Sequence, residues 1–234
     1  LRVGYPIADT IGGMTAAFAL AAALNARPRG AFLDVSMLES VLATMGWVVS
    51  TQLIAGVDPQ PLGNENMTSA PSGSFNTADG LLNIAANKQE QWEQLALHLQ
   101  LEHLISHPDY ATREARKRNR LVLGAELEKA LKSRSAEEWA DELSNLGIPA
   151  GAVSTVPDVL ASSQISDGGF LETFHTVPGV ARAIRVATTG VKIDGVPTTV
   201  PNPPPRLGAH EQEVWGALGL SPTELDELRK GGAI

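Results

Sequence analysis

The distribution of apolar and polar positions divides the chain into stretches of different period. Residues 11–27, IGGMTAAFALAAALNAR, are apolar on nearly every side of a helical wheel and rich in alanine, which loses little side-chain entropy in a helix. A helix of that kind must be covered all round. Pro28, Arg29 and Gly30 stop it, because proline cannot continue the hydrogen-bond ladder and glycine accepts turn geometry. Residues 31–35, AFLDV, read as a short strand. Ser36 then caps a second apolar helix running from Met37 to Ile54, with Glu39 three residues on completing a capping box. Helix, strand, helix is the order expected of α/β packing.

The texture changes at residues 55–73, AGVDPQPLGNENMTSAPSG, which have no period and read as a linker with a loop. Residues 75–77 and 81–85 flank Ala78, Asp79 and Gly80, a pattern that predicts a β-hairpin whose Asp-Gly supplies the positive-φ positions. Helices are predicted over residues 89–99, 113–118, 121–132 and 136–146, and Gly147, Ile148, Pro149 and Ala150 close that series. Residues 175–205 are rich in β-branched residues and prolines, which predicts short strands and extended coil. A last helix pair, split at Gly219 and Ser221, ends the chain.

Composition narrows the function classes. With 234 residues, 43% of them hydrophobic, the chain can build one large domain or two small ones. A net charge of -8, from 18 basic and 26 acidic residues, argues against nucleic acid or an anionic membrane as partner, since both want clustered Lys and Arg. The one dense basic run, REARKRNR at residues 113–120, reads as a solvated helix face, and Trp47, Trp92, Trp139 and Trp215 read as core anchors on helices. The absence of cysteine removes disulfides, thiolate catalysis and Cys-based metal sites, and fits a reducing compartment, with the cytoplasm as the expected location. Residues 1–30 lack a secretory-signal pattern, and the uncharged run at residues 10–25 is too short and too rich in Ala and Gly to cross a bilayer of about 30 Å. The chain opens on Leu1 rather than Met, within a few residues of an element that reads as buried, which gives the expectation of a fragment.

Few residues offer chemistry. His98, His103 and His107 lie close together, but only the second pair shares a helical face and no HExxH pattern is present, so they read as surface or packing residues and no metal is expected. Phosphate-loop and nucleophile-elbow patterns are missing as well. Asp9 stands out because it precedes Gly12, Gly13 and the apolar run. As an N-cap it would satisfy an orphan backbone N–H. A carboxylate there also sits at the positive end of a helix, and two glycines leave space for a substrate carbonyl to reach it and the first-turn N–H groups. Capping and nucleophilic attack are compatible roles.

The run YPIADTIGGMTAAFALAAALNARPRGAFLDVSMLESVL resembles the stretch of family III CoA-transferases that carries the catalytic aspartate, a long helix, an Arg-x-x-Gly turn and an Asp-Val-Ser strand-to-helix junction. LGNENMTSAP, SFNTADGLLNIAAN with KQEQW, NLGIPAGAVSTVPDVL and the terminal RLGAHEQEVWGALGLSPTELDELRKGGAI continue the resemblance over essentially the whole chain. The resemblance implies transfer of CoA between an acyl-CoA and a small carboxylic acid through an aspartyl-CoA thioester on Asp9, with Gly12, Gly13, Gly63 and Asn64 against the substrate. Coenzyme A enters as a substrate, and no permanently bound cofactor is implied. The implied fold is α/β, part of a Rossmann-like large domain plus a small α+β domain, in an interlocked homodimer. On that plan residues 1–55 carry the catalytic segment of the large domain, 56–175 the linker and small domain, and 176–234 the return to the large domain.

Departures from the family pattern refine the expectation. Gly63-Asn64 is followed by ENMTSAP instead of a run of glycines, which argues against oxalate or formate as substrate, and Ser72 stands where the family often has Tyr. The strands and loops that hold CoA lie upstream of the aspartate in the family and are not in this sequence, so a missing N-terminal segment is expected. The superfamily also contains α-methylacyl-CoA racemases, but AANKQEQW resembles the transferase form and the racemase glutamate motif is not found. A further reading makes the chain a catalytically incomplete partner that supplies half of a composite fold, because an all-apolar helix needs a cover.

Overall fold

The computed structural model describes residues 3–234. Helix α1 (Ile7–Asn25) starts at Ile7, earlier than the expected Ile11, and Pro6 stands at its N-cap with no side-chain hydrogen bond to the helix. Residues 31–35 form no strand. A strand exists only where a neighbour takes its backbone groups, and among the described residues none pairs with this segment, which leaves Phe32 94% exposed.

The expected single helix after Ser36 is two. In α2 (Met37–Thr44) the Ser36 hydroxyl accepts from the Glu39 N–H at 3.2 Å as predicted, whereas the Glu39 side chain does not return the bond and the capping box is half made. Gly46, at φ 51, breaks the chain between α2 and α3 (Trp47–Ala55), which are bent by 86°. Helix α1 packs on α2.

The buried core lies in the middle of the chain. Strands β1 (Ser72–Asn76), β2 (Leu81–Ala85) and β3 (Ala150–Ala152) form an antiparallel sheet in that order, with Phe75 opposite Leu82 and Ile84 opposite Ala150. Alternation along β2 turns Leu82 and Ile84 inward and Leu81 and Asn83 outward. The hairpin stands where predicted but for a different reason. Neither Asp79 nor Gly80 has positive φ. Thr77 closes the turn instead, its N–H and hydroxyl both donating to the Gly80 carbonyl, at 2.8 and 2.9 Å.

Helices α4 (Gln89–His98), α5 (Arg113–Arg118), α6 (Arg120–Leu131) and α7 (Ala136–Asn145) cover the sheet, with a 3-10 turn at Glu102–Leu104. On α6, Leu123, Leu127 and Leu131 recur every four residues and are fully buried, each stabilising the fold by roughly 1.5–3 kcal/mol. Trp92 and Trp139 anchor this core as expected, but Trp47 is 57% exposed. The basic run is a solvated face only in part, with Arg113, Glu114 and Arg118 exposed. Arg116, at 1% exposure, is among the most buried side chains.

Two short helices, α8 (Val156–Ala161) and α9 (Ser163–Ser166), lead into two antiparallel pairs, β4 (Leu171–Phe174) with β5 (Ile184–Ala187) and β6 (Lys192–Ile193) with β7 (Val196–Pro197). Helices α10 (Glu211–Ala217) and α11 (Pro222–Lys230) end the chain, joined by an Arg229–Glu211 ion pair at 2.8 Å. The architecture is mixed helix and sheet. Every strand pair among the described residues is antiparallel, so they do not themselves form the parallel sheet of a Rossmann-like domain.

Candidate active site

Asp9 occupies the third position of α1, inside the first turn. The capping role is thereby corrected: an N-cap residue lies just outside the helix and turns its side chain back on the first N–H groups, and that place belongs to Pro6. Asp9 is exposed, and among the described residues its carboxylate makes no hydrogen bond. The Ile7 N–H donates to the Tyr5 carbonyl and the Thr10 N–H to that of Pro6, whereas no acceptor among the described residues meets the N–H groups of Ala8 and Asp9. A free anionic oxygen therefore stands beside open donors at the positive end of a helix, an arrangement suited to holding a developing oxyanion.

The two glycines of this turn differ. Gly12 is buried, and a Cβ on it would lie 3.1 Å from the Met37 Cγ, so its missing side chain permits the approach of α2. The expected substrate opening at Gly12 is corrected to a helix contact. Gly13 is exposed with nothing within 4 Å of a Cβ, and it alone of the pair leaves open space beside Asp9.

Gly63 and Asn64 lie on the loop between α3 and β1. Gly63 takes φ 60, in the left-handed region that favours glycine, and starts the turn that presents Asn64. Asn64, Glu65 and Asn66 line a cleft of about 480 Å³ with Trp47, Ser72 and Asn83. No residue of α1 lines it, so the described residues do not gather Asp9 and the Gly63-Asn64 loop around one cavity.

Three cleft features escaped the sequence reading. Gly73 lets the loop lie on β1, since a Cβ there would meet the Asn64 carbonyl at 3.1 Å and the Glu65 carboxyl at 3.0 Å. Burial pushes the Glu65 carboxyl above its ordinary range, against the opposing pull of Arg120, whose guanidinium lies 3.6 Å away. Arg120 also donates to the Asn66 carbonyl at 2.8 Å, and Arg116 to that of Ala70 at 2.8 Å. The only signal for the arginines was their place in a basic run, a pattern more often found on solvated faces.

Helix α1 is bare where cover was expected. Met14, Phe18 and Leu24 are 69%, 79% and 61% exposed, and Gly12 is the helix's one fully buried residue. Contrary to the expectation for residues 10–25, the 19-residue helix is long and apolar enough to cross a membrane by length and composition, a test that a soluble protein's core helix also passes. The histidines do not converge either: His98 binds Glu142 at 2.8 Å, His107 stacks on Tyr110, and no group of three metal-ligating side chains forms among the described residues.

Comparison with known proteins gives the setting for these features. An acyl-CoA transferase of Fusarium pseudograminearum is 27% identical over all of this chain and 52% of its own length. The mouse succinyl-CoA:glutarate CoA-transferase is 30% identical over 92% of this chain and 49% of its own. The chain thus spans about half the length of the curated relatives it matches. Among solved structures, a CAIB/BAIF family protein from Brucella suis superposes with a TM-score of 0.75 at 25% identity, covering 93% of this chain and 57% of that one. The sequence profile described as CoA-transferase family III matches residues 1–211, a span that includes Asp9, the Gly63-Asn64 loop and the hydrophobic cluster from Phe75 to Ile148, and the chain belongs to that family.

Proposed function

We propose that this chain carries the nucleophilic half of a CoA-transferase, with Asp9 as the nucleophile. The observation that carries the reading is the exposed Asp9 carboxylate beside the open N–H groups of Ala8 and Asp9. The carboxylate attacks the carbonyl of an acyl-CoA, an acyl-aspartyl anhydride forms, and CoA leaves as thiolate. The thiolate attacks the aspartyl carbonyl, giving an aspartyl-CoA thioester and releasing the first acid. The carboxylate of the second acid attacks that thioester, a new anhydride forms, and returning thiolate takes the new acyl group and frees Asp9. Donors at the helix tip stabilise the oxygen that gains charge in each addition. Gly13 leaves the carbonyl room to approach. Coenzyme A is consumed and returned as substrate.

The bare apolar surface of α1 supports a second element of the reading. Further protein covers it, either a segment beyond residues 1–234 or another copy in an interlocked homodimer, and completes a Rossmann-like large domain around residues 1–55 and 176–234 beside the small domain of 56–175. The chain without that cover is a catalytically incomplete partner.

Incubation of the whole protein with an acyl-CoA, followed by hydroxylamine trapping and mass spectrometry, is expected to find the modified side chain at Asp9 and nowhere else. Transfer that persists in an Asp9→Asn protein overturns the proposal. Exchange of deuterium at the acyl α-carbon without transfer of CoA between acids identifies a racemase instead.

A further inference from the structure

The pair Asp-Gly occurs at residues 79–80, 167–168 and 194–195. Chemically the three are alike: an aspartyl carboxyl followed by a residue without a side chain lets the next backbone nitrogen reach the carboxyl carbon and close a five-membered ring. The fold sets them apart.

At the first pair both reacting groups are engaged. The Asp79 carboxylate accepts from the Ala136 N–H, and the Gly80 N–H donates to the Thr77 hydroxyl at 3.3 Å. At the second, the Asp167 N–H donates to the Ser163 carbonyl at 2.9 Å and the Asp167 carboxylate accepts from the Ser166 hydroxyl at 2.8 Å, while Gly168 lies so close to the Gln164 carbonyl that a Cβ would have no room.

The third pair is free of such restraints. Ile193 of β6 stands opposite Val196 of β7, which leaves Asp194 and Gly195 as a two-residue loop, with φ 51 and 82. The positive-φ Asp-Gly turn expected at residues 79–80 is found here instead. Among the described residues neither the Asp194 carboxylate nor the Gly195 N–H has a hydrogen-bond partner. Residues 191–196 are all exposed, and the ladder consists of two residue pairs, one of which contains Pro197, which lacks an N–H. An isolated hairpin with no buried side chain at its tip is marginally stable, so the turn opens at little cost and the carboxyl can meet the nitrogen.

We propose that Asp194 is the position at which this chain isomerises spontaneously to isoaspartate. The Gly195 nitrogen attacks the carbon of the protonated Asp194 carboxyl. A C–N bond forms, the nitrogen gives up its proton, and a carboxyl oxygen leaves as water, which gives a succinimide. Water then adds back. Opening at the side-chain carbonyl restores aspartate, whereas opening at the main-chain carbonyl leaves the main chain running through the side-chain carboxyl carbon. The cycle takes up as much water as it releases and needs no other reactant. The added methylene lengthens a loop whose two-residue length sets the pairing of Lys192 with Pro197, and both of these line a cavity of about 240 Å³. The chemistry at Asp9 plays no part in it.

The test holds the intact protein at mildly acidic pH in heavy-oxygen water and digests it with trypsin in ordinary water. Cleavage after Lys192 and Arg206 yields residues 193–206, in which Asp194 is the sole acidic side chain and Asn202 precedes a proline, whose nitrogen carries no proton to lose. Each cycle leaves one heavy oxygen at residue 194, whichever carbonyl opens. Label is expected to enter there at least about tenfold faster than at Asp79 or Asp167, placed by fragment ions, and the three rates are expected to converge in urea. An endoproteinase that cuts before aspartate is expected to leave the rearranged fraction uncut. Equal labelling of the three positions in the folded protein, earlier labelling at Asp79 or Asp167, or no label at residue 194 overturns the proposal. A difference that persists in urea overturns the part assigned to the fold.

Discussion

The Asp79 carboxylate accepts a hydrogen bond from the backbone N–H of Ala136 at 2.8 Å, so the turn of the hairpin caps a helix 57 positions away in sequence. The Thr77 hydroxyl shares its one proton between that oxygen, at 3.1 Å, and the Gly80 carbonyl, which ties the cap to the closure of the turn. Ser135 and Glu138 form a capping box at the same helix end, so the first turn of α7 is held both from within and from across the sheet.

Removing that carboxylate should be felt as a lost cap. Asp79→Ala is expected to cost about 1 kcal/mol, within a range of roughly 0.5–2, and Asp79→Asn less, because the amide oxygen still accepts. Urea unfolding followed by tryptophan fluorescence checks the order of the three proteins. An Asp79→Ala midpoint equal to wild type would show that Ser135 alone suffices.

The contrast between Gly12 and Gly13 gives a second test. A Cβ at position 12 meets a flexible methionine at 3.1 Å, so Gly12→Ala is tolerated by a small shift of Met37, whereas Gly12→Val forces α1 from α2 and costs about 1–3 kcal/mol. Gly13→Ala meets nothing and gains roughly 0.5–1 kcal/mol of helix stability. The same Gly13→Ala change narrows the approach to Asp9 and is expected to lower kcat/KM for transfer. Stability and activity thus move in opposite directions at position 13, which thermal unfolding and a CoA-exchange assay on one preparation can establish.

How much of this was legible in the sequence depends on the range of the forces involved. The helices of the middle segment have polar faces, caps and leucine stripes that are set within a few residues, and α4 to α7 stand within two residues of their predicted bounds. Features that depend on distant partners were not legible. Residues 31–35 have strand composition but no neighbour to pair with, Trp47 lies on an apolar helix but remains exposed, and Arg116 looks solvated until Ala70 and Tyr110 are brought to it. The candidate nucleophile was found through its setting, acid, two glycines and apolar helix. Its capping role failed because a start at Ile7 moves Asp9 into the helix.

Trp92 and Trp139 are both buried in the core and differ at one atom. The Trp139 Nε1 donates to the Leu131 carbonyl at 2.8 Å, whereas the Trp92 Nε1 has no partner among the described residues. An unmade bond already counts against the folded state, so Trp92→Phe loses packing and removes an unsatisfied donor, while Trp139→Phe loses packing and a bond of about 1 kcal/mol. Trp139→Phe is therefore expected to be the more destabilising of the two by roughly that amount in denaturant unfolding. The reverse order would indicate that a buried water serves Trp92.

Acid stability follows from carboxylates whose shifts run in opposite directions. Hydrogen bonds from Ser135 hold the Glu138 carboxyl below its ordinary value, and a hydrogen bond from His98, with Arg134 beside it, does the same for Glu142. Such groups take up protons more readily in the unfolded chain, so their contribution is complete above the ordinary glutamate value of 4.5 and is lost as pH falls through the lower folded values. Glu65 has the opposite sign. Burial raises its folded value above 4.5, the folded protein takes up that proton first, and stability rises as pH falls through the folded value toward 4.5. Urea midpoints measured from pH 7 downward are therefore expected to rise or hold level before they decline below about pH 4.5. Glu65→Gln should remove the first part of the profile and keep the decline, and Glu138→Gln should shorten the decline. A Glu65→Gln protein whose midpoints still climb as the pH approaches 4.5 would assign that rise to another group.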